Sequence, residues 1–339
     1  MSCTLGADPE LFVLDPAGKP ASAHKFFPYK PKKQPADGQP FRDGYVVELN
    51  PGAMTCRDAL LGQWCHQVIC AQKLLPTGYS LKLRSSYAID LRELADAPDD
   101  LKEFGCDPSF DAYSNGKAKH PEVNAMDHPF RYAGGHMHFG WVESWPYSDR
   151  HRVQITADKL IWTPIIDKSF HPMAVKLLDL YVGLPMTYLT ARRSTFMRRE
   201  VYGQAGEYRP QVYSKTAVGL EYRTPGPEMW ADTVLISLAY LAGRQVLRNF
   251  ALLEKEWNPR TELALKDAIN HGDGMEALLP TLPGVYTPEL LKLLRADKSI
   301  GRQPVHRQRS GFGWQTWLET TNQAALVPAY GAHENGEPT

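Results

Sequence analysis

Residues 131–140, Arg-Tyr-Ala-Gly-Gly-His-Met-His-Phe-Gly, decide how this chain is read. Residues 132–141 read as a strand entered through Gly134-Gly135, and side chains two apart on a strand share a face, so His136 and His138 project together. Three more strand-like segments repeat the spacing. They carry Asp8/Glu10 in residues 4–14, Glu48/Asn50 in residues 45–50, and Glu221/Arg223 in residues 219–224. If these strands are neighbours, one sheet face gathers Asp8, Glu10, Glu48, Glu221, two imidazoles, an amide and a guanidinium. Carboxylates crowded into a partly buried site repel one another and lose hydration unless protons or cations compensate. Divalent metal is the simplest compensation. Oxygen donors with few imidazoles suit Mg²⁺ or Mn²⁺ better than zinc, and magnesium takes substrate phosphates among its ligands, so a nucleoside triphosphate such as ATP is the expected partner.

Each pair also has a structural reading. Asp8-Pro9-Glu10 fits a turn, Glu48 to Pro51 a capped strand end, and His136/His138 two half-buried imidazoles bonded to carbonyls. The recurrence of one spacing at four places favours the site. A basic set follows: Arg192, Arg193, Arg198, Arg199 and Arg209, shortly before Arg223. Its planar forks suit phosphate or carboxylate, against the alternative of a solvated basic face. Residues 202–209 read as a flexible glycine turn offering backbone amides to an anion, with no match to a P-loop or dinucleotide fingerprint.

Around these motifs, residues 57–75 predict a core-facing helix with Thr55 as N-cap, and residues 149–166 and 228–255 predict two more. Residues 21–44, with Pro28, Pro31, Pro35 and Pro40 among lysines, predict a long exposed loop. Strands and helices do not alternate regularly, which predicts α+β with a largely antiparallel sheet. The expected organisation is a catalytic unit over 1–255, a helical extension over 256–327 and a disordered tail over 328–339.

The 339 residues are 43% hydrophobic, enough for a substantial core, and 38 basic residues balance 38 acidic ones. Zero net charge gives no reason to expect tight nucleic-acid or membrane binding. No signal peptide or apolar span is visible, so a soluble, cytoplasmic protein is expected. Five cysteines without a CxxC pair argue against a disulfide framework or a thiolate zinc site.

The stretches GADPELFV (6–13), DGYVVELNP (43–51), FGCDPSFDAY (104–113), RYAGGHMHFG (131–140), Arg192-Arg193, YGQAGEYR (202–209) and LEYRTPG (220–226) together resemble the phage-type carboxylate–amine ligases, amidoligases of type 2, in the glutamine synthetase and glutamate–cysteine ligase superfamily. The resemblance implies a curved antiparallel sheet holding Mg²⁺ ions that bridge ATP phosphates. It also implies a two-step reaction through an acyl phosphate, in the host cytoplasm if the chain is phage-encoded. By motif, Asp8, Glu10, Glu48, His136 and Glu221 would hold metal, and His138 would stand nearer the phosphates with Arg192, Arg193 and Arg199. Arg223 would touch the γ-phosphate or acyl phosphate, and Arg199 and Arg209 would join it in catalysis. Glu207 and Asp111 are candidates for the base that deprotonates the amine. Small carboxylate and amine substrates, a peptide or modified nucleotide, and a homo-oligomer are the partners implied. A metal-dependent hydrolase and a non-catalytic phage accessory protein are the competing readings.

Overall fold

In the computed structural model, residues 3–29, 39–94, 97–102, 109–114, 116–118, 123–142, 170–212 and 217–297 are described. They lie in one compact unit, Met1–Arg302; a second unit, Gln303–Thr339, is outside them. The expected helix over 149–166, residues 104–108 of the FGCDPSFDAY motif, the end of the helical extension and the expected tail also fall outside the described residues.

The strands are β1 Cys3–Leu14, β2 Pro20–Ala21, β3 Phe41–Asp43, β4 Val46–Glu48, β5 Ser80–Lys82, β6 Ser86–Ala88, β7 Phe110–Asp111, β8 Gly116–Lys117, β9 Phe130–Tyr132, β10 Gly135–Val142, β11 Glu207–Val212 and β12 Ala217–Tyr222. The α-helices are α1 Arg57–Leu74, α2 Phe170–Leu178, α3 Leu184–Thr190, α4 Arg193–Arg199, α5 Thr233–Arg248, α6 Phe250–Glu256, α7 Glu262–His271, α8 Met275–Leu278 and α9 Pro288–Ala296. The main sheet runs β3-β4-β1-β10-β12-β11-β7-β8, with β2 and β5 also on β1. Each of these strand pairs is antiparallel, as expected for α+β.

Alternation along β10 assigns the two faces. Met137 and Phe139 are buried on the helix side, where α5 comes so close that a Cβ at Gly243 would meet the Phe139 ring at 2.5 Å. Trp64 of α1 donates its indole N–H to the Trp230 carbonyl at 3.1 Å, and Trp230 donates to the Gly135 carbonyl at 3.2 Å. Each such aromatic removes a large apolar area from water, about 2–3 kcal/mol of driving force apiece. His136 and His138 take the opposite face.

Several elements differ from the expectation. Residues 21–44 are not all loop, because Phe41–Asp43 pairs with β4 around the Gly44 turn (φ 56°). The helix expected over 228–255 is divided: Pro227–Ala231 form a 3-10 turn, and Asp232 accepts from the Val234 amide to start α5. Residues 207–209, read as part of a turn, are the start of β11, where Glu207-Tyr208-Arg209 alternates across the sheet; Pro210 is tolerated because β7 pairs only with Glu207 and Tyr208. α1 begins as expected, but Cys56 occupies the N-cap without a side-chain bond.

Candidate active site: an acid–imidazole–arginine row on one sheet face

Register brings the sequence-predicted residues together. Asp8 on β1 stands opposite His136 on β10, and Glu10 on β1 opposite Glu48 on β4. His138 stands opposite Glu221 on β12, which stands opposite Arg209 on β11. Five neighbouring strands, β4, β1, β10, β12 and β11, thereby carry these polar residues side by side.

His138 Nε2 lies 3.0 Å from Asp8 Oδ2, and His136 Nδ1 lies 3.4 Å from Asp8 Oδ1 and 3.6 Å from Glu221 Oε1. Burial would raise the Asp8 carboxyl, but the His138 and His136 imidazoles outweigh it and hold Asp8 well below the usual carboxylate range. Glu221 Oε1 faces Arg223 Nε at 3.3 Å and an Arg209 guanidinium nitrogen at 3.5 Å, while Oε2 accepts from the Gln211 amide at 2.7 Å. Arg223 and Glu221 are both buried, whereas Asp8, His138 and Arg209 are partly open to solvent.

One ligand atom each from Asp8, His138 and Glu221 lies within 4.8 Å of the others, and the same is true of Glu10, Asp43 and Glu48. The second trio is wholly acidic. Burial raises the Glu10 pKa, and the charges of Asp43 and Asp8 add to that, against His136 and the Gly134 amide. A site that pushes a carboxyl toward its neutral form is one that a divalent cation would relieve. Both donor sets are hard oxygen with at most one imidazole, which fits Mg²⁺ or Mn²⁺.

The second trio is tied to the arginines through Tyr202. Its hydroxyl donates to Glu10 Oε2 at 3.1 Å, and the Arg223 and Arg198 guanidinium carbons lie 5.4 and 5.1 Å from its ring centroid. Glu10 Oε2 also accepts the Gly134 amide at 2.6 Å. Gly134 is required by a close approach: a Cβ there would fall 2.1 Å from His136 Nε2.

Residues 169–288, roughly a third of the chain, match the model of the family described as Phage phiEco32-like COOH.NH2 ligase-type 2. Over this segment the chain is similar to that family. Among curated proteins none matches. A crystal structure of a bifunctional glutathione synthetase from Pasteurella multocida is similar with a TM-score of 0.48 at 12% identity, covering 96% of this chain and 49% of that one. The chain thus spans about half the length of that protein.

The segment matched to the carboxylate–amine ligases contains Arg192, Arg193, Arg199, Arg209, Glu221 and Arg223; Asp8, Glu10, Glu48, His136 and His138 precede it. The structure does not bring all the predicted arginines to the carboxylates. Arg199 is buried, donating to the Ile269 carbonyl and, at 2.8 Å, to the Thr187 hydroxyl, and burial with the neighbouring Arg198 lowers its pKa to about 9. Arg198 donates to the Thr224 carbonyl at 2.6 Å. Arg192 and Arg193 are exposed at the start of α4 and form no ion pair with the acids among the described residues. The two suggested bases hold main chain in place: Glu207 accepts from the Gln204 amide at 2.9 Å and the Ser109 hydroxyl at 3.1 Å, and Asp111 accepts from the Tyr113 amide at 2.9 Å. Asn50 donates to Glu48 at 3.1 Å.

Sequence reasoning gave no role to Asp43, Tyr202 or Gln211. Asp43-Gly44 between two apolar runs is a hairpin signal that could have placed Asp43 beside Glu48. Nothing local marks Tyr202, because its partner Glu10 is distant in sequence.

Proposed function

We propose that this chain is an ATP-dependent ligase that joins a carboxylate to an amine through an acyl phosphate, on a catalytic unit of the glutamine synthetase-like type. The observation that carries the reading is the row Asp8–His138–Glu221 continuing into Arg209 and Arg223. It sets metal-type donors directly beside guanidinium forks, the combination that activating a carboxylate with a triphosphate requires. The family match over residues 169–288 supports the class of reaction.

Asp8, His138 and Glu221 would hold one Mg²⁺ or Mn²⁺, and Glu10, Asp43 and Glu48 another. Bound there, the ions would neutralise phosphate charge and polarise the transferring group. Arg209 and Arg223, anchored on Glu221, would bind the γ-phosphoryl oxygens and the acyl phosphate made from them. His136 would orient Asp8 and Glu221 from below, so His138 takes the ligand role that the resemblance gave to His136. Arg199 would act by bracing α4 against α7. Arg192 and Arg193 would meet the anionic end of a substrate from solvent. The helices beyond residue 255 would serve as this brace in the proposed division at that point. Among the described residues no helix is long and apolar enough to cross a membrane.

The test is transfer of label from an ¹⁸O-carboxylate donor to inorganic phosphate, in the presence of ATP, Mg²⁺ and a panel of amines. Labelled phosphate that depends on both carboxylate and amine is expected. Phosphate release without label, or none over a broad panel, would overturn the ligase reading in favour of a hydrolase or a non-catalytic protein.

A further inference from the structure

On the helix side of the sheet, directly behind Glu221 and Arg223, Tyr222 sends its hydroxyl into a buried polar hub centred on Asp179. Asp179 opens a π turn, Asp179–Gly183, between α2 and α3. Its Oδ1 accepts from Tyr222 at 2.6 Å, with Thr224 Oγ1 3.1 Å away; its Oδ2 accepts from Tyr113 at 3.0 Å; the Gly206 amide also donates to it. Gly183 makes room for the hub, since a Cβ there would meet the Tyr222 oxygen at 2.3 Å and Asp179 Oδ1 at 3.3 Å.

The donors come from three segments, and each adjoins predicted site residues. Tyr222 lies between Glu221 and Arg223, Gly206 precedes Glu207 on the strand that carries Arg209, and Tyr113 follows Asp111. An apolar residue would fill a buried turn more cheaply, because burying a carboxyl is costly unless its lone pairs are satisfied. A saturated carboxyl instead fixes its donors in position, and a satisfied buried network is rigid. π turns are themselves concentrated at functional sites.

We propose that Asp179 is a positioning residue that sets Glu221 and Arg223 in place from the opposite face of the sheet, through Tyr222 and Thr224. It touches neither substrate nor metal. The proposal rests on the ligase reading only in what Glu221 and Arg223 are positioned for.

Three variants test it in the full chain: Asp179→Asn, Tyr222→Phe and Tyr113→Phe. Two readouts are taken below the melting temperature of each, the Arg223 Nε–H resonance without metal, assigned with Arg223→Lys, and Mn²⁺ affinity by EPR titration. Asp179→Asn and Tyr222→Phe are expected to shift or broaden the Arg223 resonance and to weaken Mn²⁺ binding roughly tenfold or more. Tyr113→Phe, which removes one donor from the β7 side of the same carboxyl, is expected to lower stability while leaving both readouts near wild type. An Arg223 resonance unchanged in Asp179→Asn and Tyr222→Phe, or moved equally by Tyr113→Phe, would overturn the proposal, because the hub would then be ordinary core. If the resonance moves as expected and wild type binds no Mn²⁺, positioning stands and the metal reading of the site falls.

Discussion

The Tyr202 hydroxyl donates to Glu10 Oε2 at 3.1 Å while the Arg223 guanidinium lies 5.4 Å from the centre of the same ring, so one side chain joins Glu10 of the acidic trio to the arginine that follows β12. Removing only the hydroxyl separates the two contacts. Tyr202→Phe is expected to raise the Mg²⁺ concentration for half-maximal activity several-fold with little loss of stability, while Tyr202→Leu, which also removes the aromatic face, lowers kcat further. Identical metal dependence in Tyr202→Phe and wild type would show that the bond to Glu10 does not organise the site.

Glu221 is the shared partner of Arg209, Arg223 and Gln211 and lies beside His136. Glu221→Gln keeps the shape and deletes the charge that faces the buried Arg223 guanidinium. A loss of about 2–4 kcal/mol in urea denaturation is expected, with Mn²⁺ binding at this trio abolished. Undiminished stability would mean that Arg223 finds compensation elsewhere.

Burial pushes the Asp179 carboxyl up to about 7, against the pull of Tyr222, Tyr113, Thr224 and the Gly206 amide. The folded state therefore prefers the protonated acid more than the unfolded chain does. That contribution is complete below the ordinary carboxyl range and is lost as pH rises through about 7. Between pH 4 and 8, wild type should lose on the order of 2–4 kcal/mol that Asp179→Asn, which cannot ionise, does not lose. Parallel denaturation curves for the two proteins across this range would refute the assignment.

A Cβ at Gly134 would fall 2.1 Å from His136 Nε2, while one at Gly135 would meet the Gly226 carbonyl oxygen at 2.3 Å. The first clash is with a side chain and the second with backbone. Gly134→Ala is therefore expected to fold with His136 displaced and activity lost at least tenfold, whereas Gly135→Ala loses about 3 kcal/mol or more of stability. Circular dichroism melting of both variants beside their activities checks the contrast.

Asp43, at the Asp43-Gly44 hairpin turn, belongs to the second trio with Glu10 and Glu48. Asp43→Asn should weaken binding of a second Mn²⁺ about tenfold and leave the first unaffected, read as a change in stoichiometry at fixed Mn²⁺. Two unaltered binding events would remove Asp43 from the site.

The site was legible to different degrees for physical reasons. Asp8/Glu10, His136/His138 and Glu221/Arg223 could be paired on faces because strand alternation is a local property of backbone geometry. The basic cluster could not be divided in the same way. Arg209 joins Glu221 only because β11 pairs with β12, and Arg199 turns inward only because the Ile269 carbonyl of α7 waits there. Charge type is visible in a sequence, but the partner that uses it is not.

Asp179 is the extreme case, an unremarkable acid in Asp-Leu-Tyr-Val-Gly until the turn buries it beneath Tyr222. From sequence alone came the strand faces, the antiparallel α+β class and the chemical character of the row, since these follow from side-chain period and residue type. The tertiary structure decided which imidazole meets which acids, which arginines face them and what stands behind them. Those depend on cross-strand register and helix packing, set by burial over the whole core rather than by any one segment.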